Sequence, residues 1–274
     1  MLHHVWENRM DPFCVFGNLY FVGTKPASAH LIDTGAGLIL LDSGYPETLY
    51  LVLDSIRRLG FRLEDLALIL HSHGHIDHIG GTRALVELTG AKTAIGAADA
   101  DTVRGKRDLT FAKELDMRFD GFFEPDLLLG DGDMIEIGST RISCLHTPGH
   151  TEGTMSYFFP VTNAEGRTLR VGTHGGVGMN SMTRGYLLAH GLPLSLREDF
   201  RTGLHRLQGE TVDIFIGNHQ DQCDTIGKYE RIRAEESDAF VDPVAWPLYL
   251  AECERKLDQM LDEETKSRAS QTRS

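Results

Sequence analysis

His73, His75, Asp77 and His78 lie in one short stretch, directly behind the apolar run Leu66–Leu70 and just ahead of Gly80-Gly81. A compact apolar run bounded by polar residues reads as a buried strand. Residues as polar as these cannot continue it into a core, so the chain must leave the sheet at His71 and present them from a loop. The glycine pair then opens a helix carrying Leu85, Val86 and Leu88. In extended or loosely turned backbone, residues i and i+2 share a side. His73 and His75 can therefore address one ion, with Asp77 and His78 directed at a neighbouring position. Imidazole and carboxylate together suit Zn²⁺ better than a soft metal.

The rest of the chain supplies layers around that loop. Short apolar pieces at 15–16, 19–22, 29–32 and 38–41 are separated by Gly17-Asn18, Gly23-Thr24 and 33–37, an antiparallel β pattern. Pro46 suits a helix start, Leu49, Val52, Leu53, Ile56 and Leu59 keep helical spacing, and Gly60 closes the helix. A second set of strands is expected at 127–129, 134–137, 141–145, 154–159 and 168–171, with another at 212–216. Between them, 172–193 is rich in glycine and polar residues and reads as a long functional loop. Helical patterns return at Phe200, Leu204 and Leu207, from about Thr225, and from Asp242-Pro243 through Leu250, Cys253, Leu257 and Leu261. No linker composition and no repeat divides the chain. The expected organisation is one domain over 1–261, sheets inside and helices outside, with a disordered polar tail at 262–274.

Charge narrows the function. Forty acids against 27 bases give a net charge of −13 over 274 residues, and the bases form no run. Such a chain repels phosphate backbones, so nucleic acid is not an expected partner. No apolar stretch approaches the ~18 residues a membrane span needs, and the start of the chain lacks a basic segment followed by an apolar one. A cytoplasmic location is expected, or a periplasmic one for a chain whose leader has been removed. The four cysteines, at 14, 144, 223 and 253, are widely spaced and read as reduced thiols.

Two later histidines also sit where a strand gives way to a loop beside small residues: His150 in Thr147-Pro148-Gly149-His150-Thr151, and His219 in Gly217-Asn218-His219. Small neighbours let backbone approach a site closely. Either histidine alone is weak evidence; with the first cluster they become candidate ligands.

In this order the motifs resemble the metallo-β-lactamase superfamily: Asp42-x-Gly44, His73-x-His75-x-Asp77-His78-x-x-Gly81, Thr147-Pro148-Gly149-His150-Thr151, then Gly217-x-His219. The resemblance covers about residues 13 to 235. It implies an α/β fold, an αββα sandwich of two mixed sheets flanked by helices, with the site along one edge. It also implies two zinc ions per chain, one on His73, His75 and His150, the other on Asp77, His78 and His219. Many members carry a bridging aspartate after a later strand; here that stretch is Val171-Gly172-Thr173-His174-Gly175-Gly176, without an acid. Subclass-three metallo-β-lactamases also lack it, and the segments 16–23 and 59–65 resemble that subclass too. His75, where a glutamate would stand, argues against the di-iron flavoprotein branch.

The implied chemistry is hydrolysis of a small molecule. Paired zinc ions activate water for attack on a carbonyl, and Asp77 orients that water and takes its proton. A β-lactam amide is one possible substrate; a cytosolic lactonase or thioesterase is the alternative, and a non-catalytic metal-dependent binding protein is the alternative of another class. Asp42 reads as a buried hydrogen-bond support for the histidine loop, and His71 and His146 as structural. His174, Ser181 and Tyr186 are candidate substrate contacts by position alone, as is Arg184. Gly175-Gly176-x-Gly178 is no phosphate cradle, because no Lys-Ser/Thr pair follows.

Overall fold

Alternation decides the architecture. In the run Leu38–Leu41 every residue is buried, yet Ile39 and Leu41 belong to one apolar cluster and Leu38 and Leu40 to another. A strand buried on both faces needs a layer on each side. The computed structural model, which describes residues 4–271, supplies both.

The first sheet takes its strands in chain order: β1 (Phe13–Phe16), β2 (Leu19–Phe21), β3 (His30–Asp33), β4 (Leu38–Leu41), β5 (Leu66–Leu70), β6 (Lys92–Gly96) and β7 (Leu127–Leu129). It is antiparallel through β4 and parallel from β4 to β7. The second sheet has the order β12 (Ile214–Phe215), β11 (Thr168–Thr173), β10 (Met155–Thr162), β9 (Thr140–His146), β8 (Met134–Ile137), with only β11 and β12 parallel. Both sheets are thus mixed, as the resemblance implies. Their facing sides share one core, with Ile39, Leu41, Leu68 and Leu70 against Ile142, Cys144, Met155 and Tyr157.

Helices cover the outer faces. Against the first sheet lies α1 (Leu49–Arg58), whose Val52 and Ile56 join Leu38, Leu40 and Ile69. The short α2 (Ile76–Ile79) and then α3 (Thr82–Thr89) follow β5, and α4 (Ala100–Val103) follows β6. On the second sheet pack α6 (Leu196–Leu207) and α8 (Ala245–Gln271), which touch each other; in the chain the short α5 (Arg184–Ala189) precedes α6, and α7 (Thr225–Arg233) precedes α8. Trp246 is buried beside Phe158 and Phe215, and its indole N–H donates to Leu207 O at 3.1 Å.

Three expectations need correction. α8 runs past Asp262, the expected start of a disordered tail, through Gln271. Glu264 holds it there, accepting from Arg184 N at 2.7 Å and from Arg197 at 2.8 Å, while residues 272–274 lie outside the description. The 172–193 stretch is shorter as a loop than expected, since β11 continues to Thr173 and α5 occupies 184–189. And β6, central to the parallel half, has no counterpart among the expected strands, because Thr93-Ala94-Ile95 is short and mildly apolar.

His30 on β3 is fully buried, and burial pushes its imidazole down to about 4. A histidine held neutral in the fold stabilises it fully above its unfolded value of about 6.5; that contribution fades as pH falls towards 4. In chelator-treated protein, His30→Gln should therefore flatten the stability–pH profile across that window by about 1.4 kcal/mol per pH unit, one proton's worth. Urea unfolding at several pH values measures it; parallel profiles would refute the assignment.

Candidate metal centre

β4 and β5 are parallel and in register, Leu41 opposite Leu70, so they deliver Asp42 and His71 to the same end of the sheet. Ligand sites of such sheets gather at these carboxyl ends. Asp42 adopts a left-handed backbone, φ 61°, which turns its carboxylate back over the loop after β5. There it accepts from Ser72 N at 2.8 Å, Ser72 Oγ at 2.7 Å and His78 Nδ1 at 2.9 Å. Asp42 thus receives three hydrogen bonds from the segment that carries His73 and His78. His71, fully buried, spans Ala94 O and Thr82 Oγ1, and His146 bonds Glu152 O.

The six candidate ligands come together from three segments, those that follow β5, β9 and β12. The rings of His73, His75 and His150 lie with centroids 4.5 to 4.7 Å apart, and one nitrogen of each falls within 4.8 Å of the others. His73, Asp77 and His78 form a second such group. His219 joins through Asp77, its Nε2 3.5 Å from Oδ2, while His78 Nε2 is 3.3 Å from the same oxygen.

The tautomers follow from the partners. Nδ1 of His73 meets Gly175 O at 2.7 Å, that of His150 Gly178 O at 2.8 Å, that of His78 Asp42, and that of His219 Pro26 O at 2.9 Å. A carbonyl or carboxylate only accepts, so each Nδ1 carries the proton and each Nε2 of a neutral ring keeps its lone pair. The Nε2 atoms of His73 and His78 are buried with no hydrogen-bond partner. Four rings fixed through Nδ1, with the Nε2 atoms of two of them otherwise orphaned, suit a divalent metal with N/O preference. Zinc fits this donor set.

Burial and charge divide the cluster. Burial holds His73 and His75 well below the usual imidazole range and His150 down to about 4, helped by neighbouring imidazoles, so these rings stay neutral. Burial also opposes charge on Asp77 and His78. Their mutual attraction prevails, with Asp42 adding to it, so Asp77 stays far below the usual carboxylate range and His78 is pushed up to about 10.

Above the cluster opens a cleft of about 640 Å³. His73, His75, Asp77, His150 and His219 lie on its lining; Phe111 and Leu115 come from the 104–126 segment, Val177 and Met179 from the turn after β11, and Tyr249, Glu252 and Lys256 from α8. None of these wall residues stands out in the sequence. Phe111 reaches His75, centroids 5.2 Å apart, through a left-handed backbone of φ 60° that no periodicity announces.

The candidate substrate contacts fare differently. His174 does not line the cleft: it is 1% exposed and lies against Phe200, its Nδ1 accepts from Gly176 N at 3.2 Å, and burial pushes it down to about 3. Ser181 is equally buried, donating to His150 O at 2.7 Å and lying 2.9 Å from Nδ1, so it steadies a candidate ligand. Tyr186 sits behind Phe111 and stacks on His190, centroids 4.1 Å apart, facing a small cavity behind His75 and His150. Arg184 is likewise outside the cleft lining, its backbone tied to Glu264. Gly176 and Gly178 make room for His150: a Cβ on Gly176 would fall 2.5 Å from its ring, and one on Gly178 2.8 Å.

Fold and site together define a class. Residues 22–200 match the family model of the Metallo-beta-lactamase superfamily, and the chain belongs to that superfamily. Among solved structures it is similar to BJP-1, a subclass B3 metallo-beta-lactamase of Bradyrhizobium japonicum, with TM-score 0.86 and 25% identity over 96% of this chain and 98% of that one. It is similar also to the FEZ-1 metallo-beta-lactamase from Legionella gormanii, with TM-score 0.86 and 29% identity over 94% and 98%. The subclass resemblance drawn from the motifs is borne out. A hydroxyacylglutathione hydrolase of Cereibacter sphaeroides is 36% identical over 94 residues, 34% of this chain, and a beta-lactamase hydrolase-like protein of Agrobacterium fabrum 38% over 108 residues, 39% of this chain. The matched stretch spans only 29% and 23% of those two relatives. Among the described residues no helix is long and apolar enough to cross a membrane.

Proposed function

We propose that this chain is a metal-dependent hydrolase of small carbonyl compounds, with a β-lactam amide as its first candidate substrate. The observation that carries the reading is the set of four histidines whose Nδ1 protons are fixed by carbonyl or carboxylate partners, around the ionised Asp77 beneath an open cleft. His73, His75 and His150 would hold one zinc ion, and Asp77, His78 and His219 a second. Bound there, zinc supplies Lewis acidity and water that is nucleophilic at neutral pH.

The chain's own groups do the rest. Asp77 accepts a hydrogen bond from the attacking water, orients it and takes its proton. Asn218, on the cleft wall, donates its amide to Gly175 O at 2.7 Å, the carbonyl that also fixes His73, so wall and cluster are held as one unit. Phe111, Leu115 and Met179 give the substrate an apolar seat that excludes water from one side.

The alternative substrate class, a thioester, has support in the similarity to hydroxyacylglutathione hydrolases. Against it stands the stretch where a bridging acid would lie, which ends β11 with Thr173 and turns His174 inward. A chromogenic cephalosporin is therefore expected to turn over with added zinc, to stop with a chelator, and to resume when zinc is restored. No turnover at micromolar enzyme removes the lactam; hydrolysis of S-lactoylglutathione or an acyl-homoserine lactone instead moves the reading to a thioester or lactone.

A further inference from the structure

Asp99 stands in the turn between β6 and α4 and is 3% exposed. Its Oδ2 accepts from Gly74 N at 2.8 Å and Thr151 Oγ1 at 2.7 Å, and its Oδ1 from Gly153 N at 2.9 Å. Among the described residues it forms no ion pair with a cation. A buried carboxylate without a counter-charge is costly unless hydrogen bonds satisfy it, and these three come from only two places. Gly74 lies between His73 and His75; Thr151 and Gly153 follow His150. Both glycines leave room for the acid: a Cβ on Gly153 would fall 2.5 Å from its Cγ, and one on Gly74 3.3 Å from Oδ2.

Asp42 offers a comparison. It fixes His78 and the loop before His73, on the side of Asp77. Asp99 touches neither Asp77, His78 nor His219; it joins the two loops that bear His73, His75 and His150. We infer that Asp99 is a positioning residue which sets the spacing of the His73/His75/His150 cluster, and through it the affinity and geometry of the ion held there. The inference rests on the metal reading above, and it divides the support of the two ion positions between two buried acids.

Cobalt substitution tests it, because the bands of bound Co²⁺ report ligand geometry and fold stability alone does not move them. Wild type, Asp99→Asn and Thr151→Val are titrated with Co²⁺ and, by competition with a chromophoric chelator, with Zn²⁺. His150→Ala and His219→Ala mark which bands belong to which ion. In Asp99→Asn the ion associated with His150 is expected to bind about tenfold to a hundredfold more weakly, with altered bands, while the ion associated with His219 is unchanged. Thr151→Val keeps the carboxylate and loses one hydrogen bond, so it should shift the same bands in the same direction by less; it decides the matter if Asp99→Asn does not fold. Wild-type affinities and bands in both variants overturn the inference and leave the metal reading standing. A wild-type protein that holds no ion overturns both.

Discussion

Asp77→Asn is expected to lower kcat/KM about 10²- to 10⁴-fold at saturating zinc, the range a positioned proton acceptor contributes, with the fold retained. Asp77 is the hinge of the charge distribution. Its Oδ2 lies 3.3 Å from His78 Nε2 and 3.5 Å from His219 Nε2, and the surrounding imidazoles hold it ionised despite its burial. Asparagine keeps the shape but has no proton affinity to offer an attacking water and no negative charge to balance a second cation. Two losses should therefore appear together, a fall in kcat and weaker binding of the ion at His78 and His219. Steady-state kinetics over a zinc titration separates them: added zinc restores occupancy without restoring kcat. A variant that regains wild-type kcat at high zinc would reduce Asp77 to a ligand and remove it from proton transfer.

How much of this was legible in the chain depends on what each residue's direction rests on. Asp42, His73, His75, Asp77 and His78 are readable because two parallel buried strands, Leu38–Leu41 and Leu66–Leu70, end in register and leave few ways for the following residues to point. His150 and His219 follow strands of the second sheet in the same way. His174 shows the limit. It also follows a strand, but whether such a residue faces the cleft or the core turns on one step of pleat, and the pairing of Thr173 with Tyr157 settles it inward. Asp99 is illegible for another reason: one of two acids in an alanine-rich stretch, it gives no period and no motif, and its partners come from loops 25 and 54 residues away. The cleft wall at Phe111 depends on a left-handed turn that a bulky aromatic rarely adopts. Even the helicity of 262–271 is a tertiary effect, since Glu264 finds its partners, Arg184 and Arg197, only in the folded chain.

The same contrast between local and tertiary support makes Asp42→Asn the most damaging single substitution expected for the fold around the site. Asp42 and His78 form a pair with side chains 2% and 0% exposed, and the two Asp42 oxygens together receive three donors. An amide has one oxygen to accept with, and its NH₂ would face a donor already in place, so either Ser72 N–H or His78 Nδ1–H loses its partner. Breaking a buried pair from one side typically costs about 3–5 kcal/mol, which for a chain of this size is a fall in Tm of roughly 10 °C. The functional loss has its own cause. Without the Asp42 carboxylate nothing fixes the Nδ1 proton of His78 or the orientation of its ring, so Nε2 is no longer held ready for an ion beside Asp77. The ion expected at Asp77, His78 and His219 should then be lost before the one at His73, His75 and His150. Thermal unfolding with and without chelator, combined with zinc counting after gel filtration, reads both effects. An unchanged Tm would show that Ser72 and His78 find other partners, and retention of both ions would show that the tautomer of His78 does not depend on Asp42.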